Sequence, residues 1–269
     1  MATRPRQKTG SFRTFRIVVL LLVLLAVAGD GWLTRLRSTD WNEPLWVSVY
    51  PINGDGSAAT DRYIATLSDR SFEAVDAFLA REAARYGLAV REPVRVRLAP
   101  EVHRHPPVPP ANGQRLAIMA WSLKMRYWAW RTVREYGGPP SNIQMFVQYF
   151  DPEHTDRVAH SLGLQKGLVG VVNAFASHQL AGQNNVVIAH ELLHTVGASD
   201  KYDPANSQPL YPQGVADRER VPLYPQTHAE IMGGRIPLSM RESALPMTLN
   251  KVIVGPETAR EINWVRPAS

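Results

Sequence analysis

The predicted domain comprises residues 45–269. In its first part, hydrophobic residues recur first at the spacing of a strand, then at that of a helix, and then again at that of a strand. Alternate residues of Leu45–Ile52 would share a face of an extended chain, with three apolar residues on one side, so this segment predicts a strand. Ser71–Leu88 repeats apolar residues at helical spacing and predicts an amphipathic helix. Val94–Leu98 alternates again and predicts a short second strand. The order of strand, helix and strand indicates a βαβ unit at the start of the domain.

The middle of the chain predicts a loop, a helix and two more strands. Residues 100–113 contain five prolines and are predicted to be a loop. Leu116–Tyr136 mixes aromatic and basic residues, and we predict a helix there. A packed aromatic face and a solvated basic face are favoured over contact with a membrane headgroup layer. The apolar runs Ile143–Phe150 and Leu168–Phe175 predict two further strands.

The first 33 residues have the pattern of an export segment. Residues 1–16 carry five basic and no acidic side chains, and residues 17–33 begin with thirteen consecutive apolar or glycine residues. This pattern is typical of a secretory signal, and the positive-inside rule then places the N-terminus in the cytoplasm and the body outside it. Two outcomes stay open. Cleavage after Ala28 would secrete the protein, whereas retention would anchor it in a membrane, facing the periplasm or the cell exterior, through a linker at residues 34–44.

Composition narrows the classes of function. With 45% hydrophobic and 20% charged residues, the chain is predicted to fold. Five of its 30 basic residues lie in the N-terminal 16, which leaves 25 basic against 24 acidic residues in the body. This near-neutral body lacks the basic excess of a nucleic-acid-binding domain, so we expect no nucleic-acid partner. The chain has no cysteine, and a bound metal would therefore need His, Asp or Glu ligands.

The chemical signal lies in residues 183–203, QNNVVIAHELLHTVGASDKYD. His190, Glu191 and His194 form the pattern HExxH. Residues four apart share one face of a helix, so both imidazoles can bind one zinc ion. Glu191 would lie beside this pair, where its carboxylate can take a proton from water without being a ligand.

A third protein ligand is needed for a catalytic zinc site. Gly197 follows His194 by about one helical turn and can adopt the left-handed conformation that ends a helix. The chain reversal would bring Asp200 back to the histidines, and we predict Asp200 as the third ligand. Asp203 and Glu230 remain as alternative carboxylates.

The segment His190–Asp200, HELLHTVGASD, resembles the zinc motif HExxHxxGxxH of the metzincin metallopeptidases. It is closest to their snapalysin-type branch, in which the last ligand is Asp. The resemblance implies an α+β fold, with a twisted mixed sheet, helices and the zinc helix in an upper part. An irregular lower part would contain a Met-turn and a C-terminal helix at residues 256–264. Leu168–Phe175 would be the edge strand that pairs with extended substrate.

The resemblance also implies a methionine in a tight turn beneath the zinc. The candidate is Met232, within Ala229–Gly234. The chain departs from the family pattern at three points: Asp200 stands where the usual ligand is His, no Tyr follows two residues after Met232, and there is no Cys for a latency switch.

Together these features predict a zinc-dependent metalloendopeptidase that hydrolyses polypeptides outside the cytoplasm, with Zn²⁺ as cofactor and Glu191 as general base. Donors to a developing oxyanion could be Tyr202, Tyr211 or Tyr224. Two alternatives stay open. One is a non-catalytic zinc-binding envelope protein that acts by binding a partner. The other is a gluzincin-like zinc hydrolase with Glu230 as third ligand, which the presence of Gly197 disfavours.

Overall fold

The computed structural model describes residues 15–18, 40–110, 114–155, 158, 161–164 and 168–265. The strands of its largest sheet are β1 (Leu45–Asn53), β2 (Val94–Leu98), β3 (Ile143–Phe150), β4 (Leu162–Leu164) and β5 (Val169–Phe175). They lie in the order β2-β1-β3-β5-β4. The first four in that order are parallel, and β4 pairs antiparallel with β5. The fold is therefore mixed α/β with a mostly parallel sheet.

Helices lie between these strands and after them. They are α1 (Ala58–Ile64), α2 (Glu73–Arg85), α3 (Arg115–Tyr136), α4 (Ala181–Thr195) and α5 (Pro256–Glu261), with 3-10 helices at Asp69–Phe72 and Leu249–Lys251. The region between α4 and α5 is largely irregular. Its short strands are β6 (Ala229–Glu230), β7 (Ile236–Pro237), β8 (Ser243–Ala244) and β9 (Val252–Ile253), paired as β6 with β9 and β7 with β8.

Two apolar cores lie on opposite faces of the sheet because alternate residues of β1 point to opposite sides. Val47 and Val49 belong to the larger core, which α2, α4 and α5 cover. Tyr50 belongs to the smaller core, where it stacks on Phe146 of β3 with ring centroids 5.2 Å apart. Trp128 of α3 contacts the same Phe146 ring edge-on at 4.6 Å. The result is a three-layer arrangement with α3 alone on the second face among the described helices.

The βαβ unit and the central strands are confirmed. β1 and β2 are parallel neighbours, and α2 contributes the link between them. The predicted helix at 71–88 is shorter than expected, because Ser68 and Ser71 instead exchange cap hydrogen bonds around the preceding 3-10 turn. The α-helix then begins at Glu73. The helix in residues 116–136 is confirmed, and its bounds are those of α3.

The expectation that Leu168–Phe175 forms the sheet edge is wrong. β5 lies inside the sheet because β4 pairs with its outer side, from Leu162 opposite Val171 to Leu164 opposite Val169. Three residues are too few to show a period in the sequence, so β4 was not predicted. The edge strand beside α4 is β4.

The predicted export segment lies almost wholly outside the described residues, which include only residues 15–18 of it. The linker at 34–44 is described from residue 40 onward. Among the helices of the described part, none combines the length and apolar character needed to cross a membrane.

Candidate metal centre

Helix α4 carries three of the predicted site residues on its polar side. Its opposite side is completely buried at Ile188 and Leu192, which fix the helix against the larger core. This packing leaves His190 and His194 partly buried on the other side, with side-chain exposures of 12% and 16%. The helix therefore has one buried apolar side and one side on which the two predicted histidine ligands lie together, as their spacing predicts.

The chain reverses directly after α4. Gly197 has φ of +116°, a conformation that side chains rarely allow. Its N–H donates to the carbonyl of His194, and the N–H of Ala198 donates to that of Leu193 at 3.0 Å. The reversal returns Asp200 to the histidines, as predicted.

Three ligand atoms meet at this reversal. The Nε2 atoms of His190 and His194 are 3.1 Å apart, and Asp200 Oδ1 is 3.2 Å from the first and 3.0 Å from the second. Ligands of a tetrahedral zinc ion with bonds of ~2.0–2.2 Å lie about 3.3–3.6 Å apart, slightly farther than these atoms. The three side chains are therefore close enough to bind one metal ion.

The far side of each imidazole is held by a backbone carbonyl. His190 Nδ1 lies 2.8 Å from the carbonyl oxygen of Ile231, and His194 Nδ1 lies 2.8 Å from that of Ala198. A carbonyl only accepts, so we assign the proton of each neutral ring to Nδ1, which leaves Nε2 with a free lone pair. Two lone pairs and a carboxylate oxygen facing one another favour a shared cation.

Asp200 is ionised in this setting. Partial burial opposes its charge, but the closeness of the two imidazoles outweighs burial and lowers the pKa of the carboxyl well below its ordinary value. An anionic carboxylate beside two imidazole nitrogens is a donor set that divalent transition metals favour.

Glu191 is 6% exposed and lies outside the ligand cluster. Burial is the largest influence on its carboxyl and raises the pKa, against the opposing effect of the two histidines. The backbone of Gly163 in β4 lies close to this carboxylate. Its Oε2 atom is nevertheless buried without a hydrogen-bond partner among the described residues. An orphaned buried acceptor fits a donor that is not part of the chain, such as a water molecule.

Gly163 is a site residue that the sequence did not reveal. A Cβ atom at this position would lie 2.4 Å from the Cβ of His194 and 2.6 Å from the carbonyl oxygen of Glu191. Only glycine therefore lets β4 come this close to α4. A glycine in a three-residue strand gives no sequence signal of this approach.

The loop that carries Asp200 is tied to α5. Glu261 of that helix accepts from the backbone N–H and the hydroxyl of Ser199 at 2.9 and 2.6 Å. Lys201, buried at 4% exposure, donates to the same carboxylate at 2.7 Å and to the carbonyl of Ser199 at 2.9 Å. Asp200 thus lies between two residues that are fixed by one carboxylate, a link of sixty residues that the sequence pattern did not indicate.

The segment with the predicted Met-turn lies against the cluster. Met232 is fully buried, and its carbonyl accepts from the N–H of Lys201 at 2.9 Å. The preceding carbonyl, that of Ile231, is the one that holds His190. The segment is therefore a support of the site.

The structure does not bring the alternative carboxylates into the cluster. Glu230 is fully buried and accepts from the N–H groups of Gly233 and Gly255 and from the Thr258 hydroxyl. Asp203 instead accepts from the N–H of Ala205 within its own turn. Both carboxylates have structural partners away from the histidines.

Tyr202 is the tyrosine candidate next to the cluster. Its ring centroid is 6.3 Å from that of His190, and its hydroxyl is close enough to Asp200 to feel the charge of that carboxylate. Burial first, and then the charges of Asp200 and Glu191, raise the pKa of this hydroxyl. The Tyr202 phenol is therefore neutral and lies near the Asp200 carboxylate.

The sequence matches no protein-family model and no curated protein. The site consists of two imidazoles and one carboxylate within 4.8 Å of one another, with a buried glutamate beside them. These residues fit a metal ion that keeps further coordination positions for small molecules.

Proposed function

We propose that this protein is a zinc-dependent metalloendopeptidase of the metzincin type, acting on polypeptides outside the cytoplasm. The observation that carries the proposal is the partnerless buried Oε2 of Glu191 beside the cluster of His190, His194 and Asp200. A purely structural metal site has no need of a buried non-ligand carboxylate, whereas hydrolysis needs a base.

The donor set suits zinc. Two nitrogens and one oxygen from the protein are typical of a hydrolytic zinc site, in which a fourth position stays open. When bound, the ion supplies Lewis acidity, which lowers the pKa of a water molecule and polarises a carbonyl.

The chain's own groups perform the proton transfers. Glu191 Oε2 accepts the proton of the attacking water and returns it to the leaving amine. The carbonyls of Ile231 and Ala198 keep both imidazoles oriented during this exchange. Tyr202 lies beside the cluster, and it is the described tyrosine best placed to donate to an oxyanion.

The sheet edge supplies a place for extended substrate. β4 is the last strand of the sheet in the described part of the chain and lies directly on α4. An extended peptide that added to this edge would pass close to Glu191. In this proposal, Met232 is the methionine of the Met-turn beneath the metal.

The test measures zinc and cleavage on the same full-length preparation. We expect about one zinc per chain by elemental analysis, and cleavage of a peptide library. Glu191→Gln should keep the zinc and lose ~10²–10⁴-fold in cleavage rate, because the base is removed and the ligands remain. Glu242→Gln, at an exposed glutamate of the irregular region, is the control that should change neither.

Two results would contradict the proposal. Zinc without cleavage of any peptide would indicate the non-catalytic binding protein. Loss of zinc in Glu191→Gln would make Glu191 a ligand and exclude it as the base.

A further inference from the structure

Helix α3 has two apolar faces, and only one of them is used by the fold. Met125, Trp128 and Ala129 are buried in the smaller core. A second set of large apolar residues is exposed, and we call it the exposed stripe. Its members, with exposed fractions, are Leu116 (79%), Met119 (62%), Leu123 (61%), Tyr127 (60%) and Trp130 (54%). The predicted solvated basic face is therefore partly wrong, because apolar residues form its centre.

The exposed stripe is continuous along the helix. At 100° per residue its five members fall within about 80° of one another, opposite the buried set. The 22 residues of α3 span roughly 33 Å. Such a row of exposed large apolar residues is uncommon on a surface that faces only water.

Basic side chains flank the exposed stripe on both sides. By the same helical projection, Arg115 and Arg126 lie along one side, and Lys124 and Arg131 along the other. Arg134 continues the line of the stripe, with its guanidinium 5.0 Å from the centre of the Trp130 ring.

The single acid of α3 does not offset this charge. Glu135 is held by Arg104 through two hydrogen bonds of 2.9 Å, and Arg131 lies 3.7 Å away. Tyr127 and Trp130 pack against each other at 5.8 Å between ring centroids. Amphipathic rings with arginines beside them are typical of residues at the headgroup level of a bilayer.

We propose that the exposed stripe of α3 docks on the surface of an anionic lipid bilayer. The apolar row would enter the boundary of the acyl chains while the flanking Lys and Arg reach lipid phosphates on both sides. The two-sided basic margin favours lipid over a protein partner, which would have to match positive charge along both edges of a narrow row. Retention of the apolar segment at residues 17–33 as an anchor, one of the two outcomes that its sequence leaves open, would hold the exposed stripe near a bilayer.

Docking in this way leaves the metal centre accessible. α3 packs in the smaller core, and α4 packs in the larger core on the other face of the sheet. The proposal does not depend on zinc or on catalysis.

The absence of native cysteine allows a direct test, because one introduced cysteine carries one fluorophore. Full-length Leu123→Cys, labelled with an environment-sensitive dye, is placed in vesicles of phosphatidylcholine with or without phosphatidylglycerol. With phosphatidylglycerol we expect a blue shift, and several-fold stronger quenching by a lipid-attached quencher than at Val221→Cys, a control position that is 94% exposed. Tyr127→Cys should repeat the result.

Charge reversal separates lipid from other partners. Lys124→Glu combined with Arg126→Glu should abolish the shift, whereas the exposed pair Arg91→Glu and Arg241→Glu should leave it unchanged. The proposal is overturned if the dyes at 123 and 221 respond alike, or if the shift is as large without phosphatidylglycerol. A shift that grows with protein concentration in the absence of lipid would overturn it in favour of a second copy of the chain.

Discussion

At the scale of single residues, contacts with groups outside the cluster hold each of its three side chains in place. Two carbonyls orient the imidazoles of His190 and His194, and Glu261 fixes the residues on both sides of Asp200. Ligand atoms held in this way lose little conformational freedom when a metal binds. We therefore expect zinc affinity to depend on which side chains form the cluster rather than on how many carboxylates lie nearby.

Removal of the Asp200 carboxylate should weaken metal binding more than removal of either alternative. Partners outside the ligand shell typically contribute ~10–100-fold in affinity, so we expect Asp200→Ala to lower zinc affinity by more than about 100-fold. Asp203→Ala and Glu230→Gln should change it little, and Asp200→His should retain metal because imidazole is also a zinc ligand. Competition with a fluorescent chelator measures all four.

The opposite ranking would refute the assignment. Zinc lost in Glu230→Gln and kept in Asp200→Ala would favour the gluzincin-like geometry. Unfolding midpoints of each variant must accompany the titration, since Glu230 holds three buried donors.

The ligand residues were predictable because their spacing is local. The histidines are four positions apart, and Asp200 comes six positions after His194, so helix geometry and one glycine reversal suffice. Gly163 could not be found in this way, since its contact with His194 depends on how β4 packs on α4. Long-range packing leaves no periodic signal in the sequence.

At the scale of elements, the site depends on how the loop after α4 joins α5. Glu261→Gln should weaken zinc binding about tenfold, because the Asp200 loop loses its charged anchor and Lys201 loses its buried partner. Arg260→Gln on the same short helix is the control, since Arg260 pairs with Glu257 and is mostly exposed.

Zinc titration and thermal unfolding on both variants check this prediction. An unchanged zinc affinity in Glu261→Gln would show that the loop is positioned without α5. Excess zinc should partly restore cleavage in that variant if positioning is its only role.

The outer edge of β2 carries a pH-dependent contribution to stability. Asp76 of α2 accepts from the edge N–H of Val96, and partial burial, its largest influence, raises the pKa of Asp76 to about 6. The unfolded carboxyl titrates near 3.8, so the folded state holds the proton more tightly between these values. The free energy of unfolding should therefore fall as pH rises from about 4 to 6.

Asp76→Asn should remove this dependence and stabilise the protein at neutral pH, because the amide oxygen still accepts from Val96 without a charge. Chemical denaturation across this pH range measures the difference. Asp69→Asn is the matched control, since Asp69 also accepts from an edge N–H, that of Leu98. A stability gain that is independent of pH would contradict the assignment to Asp76.

At the scale of the whole molecule, hydrophobic periodicity accounts for the layered core but not for every surface. The parallel pairing of β1 with β2 follows from the βαβ pattern, and both cores follow from two-sided burial, whereas the place of β3 on the other side of β1 does not follow from that pattern. β4 and the exposed stripe of α3 were missed for related reasons. A three-residue strand has no measurable period, and a helix with two apolar faces does not show which face is buried.

A bound metal should stabilise the whole domain, because the cluster joins parts of the chain that are distant in sequence. His190 and His194 come from α4, the carbonyl behind His190 belongs to Ile231 beside β6, and Asp200 depends on α5 through Glu261. A ligand that binds only the folded state adds about 2.7 kcal/mol at a free concentration 100 times its dissociation constant. We therefore expect chelation to lower the thermal unfolding midpoint of the full chain, and added zinc to restore it.

In Asp200→Ala the chelator should have almost no effect on the midpoint, because little metal is bound to remove. Equal midpoints of the native chain with and without chelator would mean that the three side chains hold no metal in the folded protein.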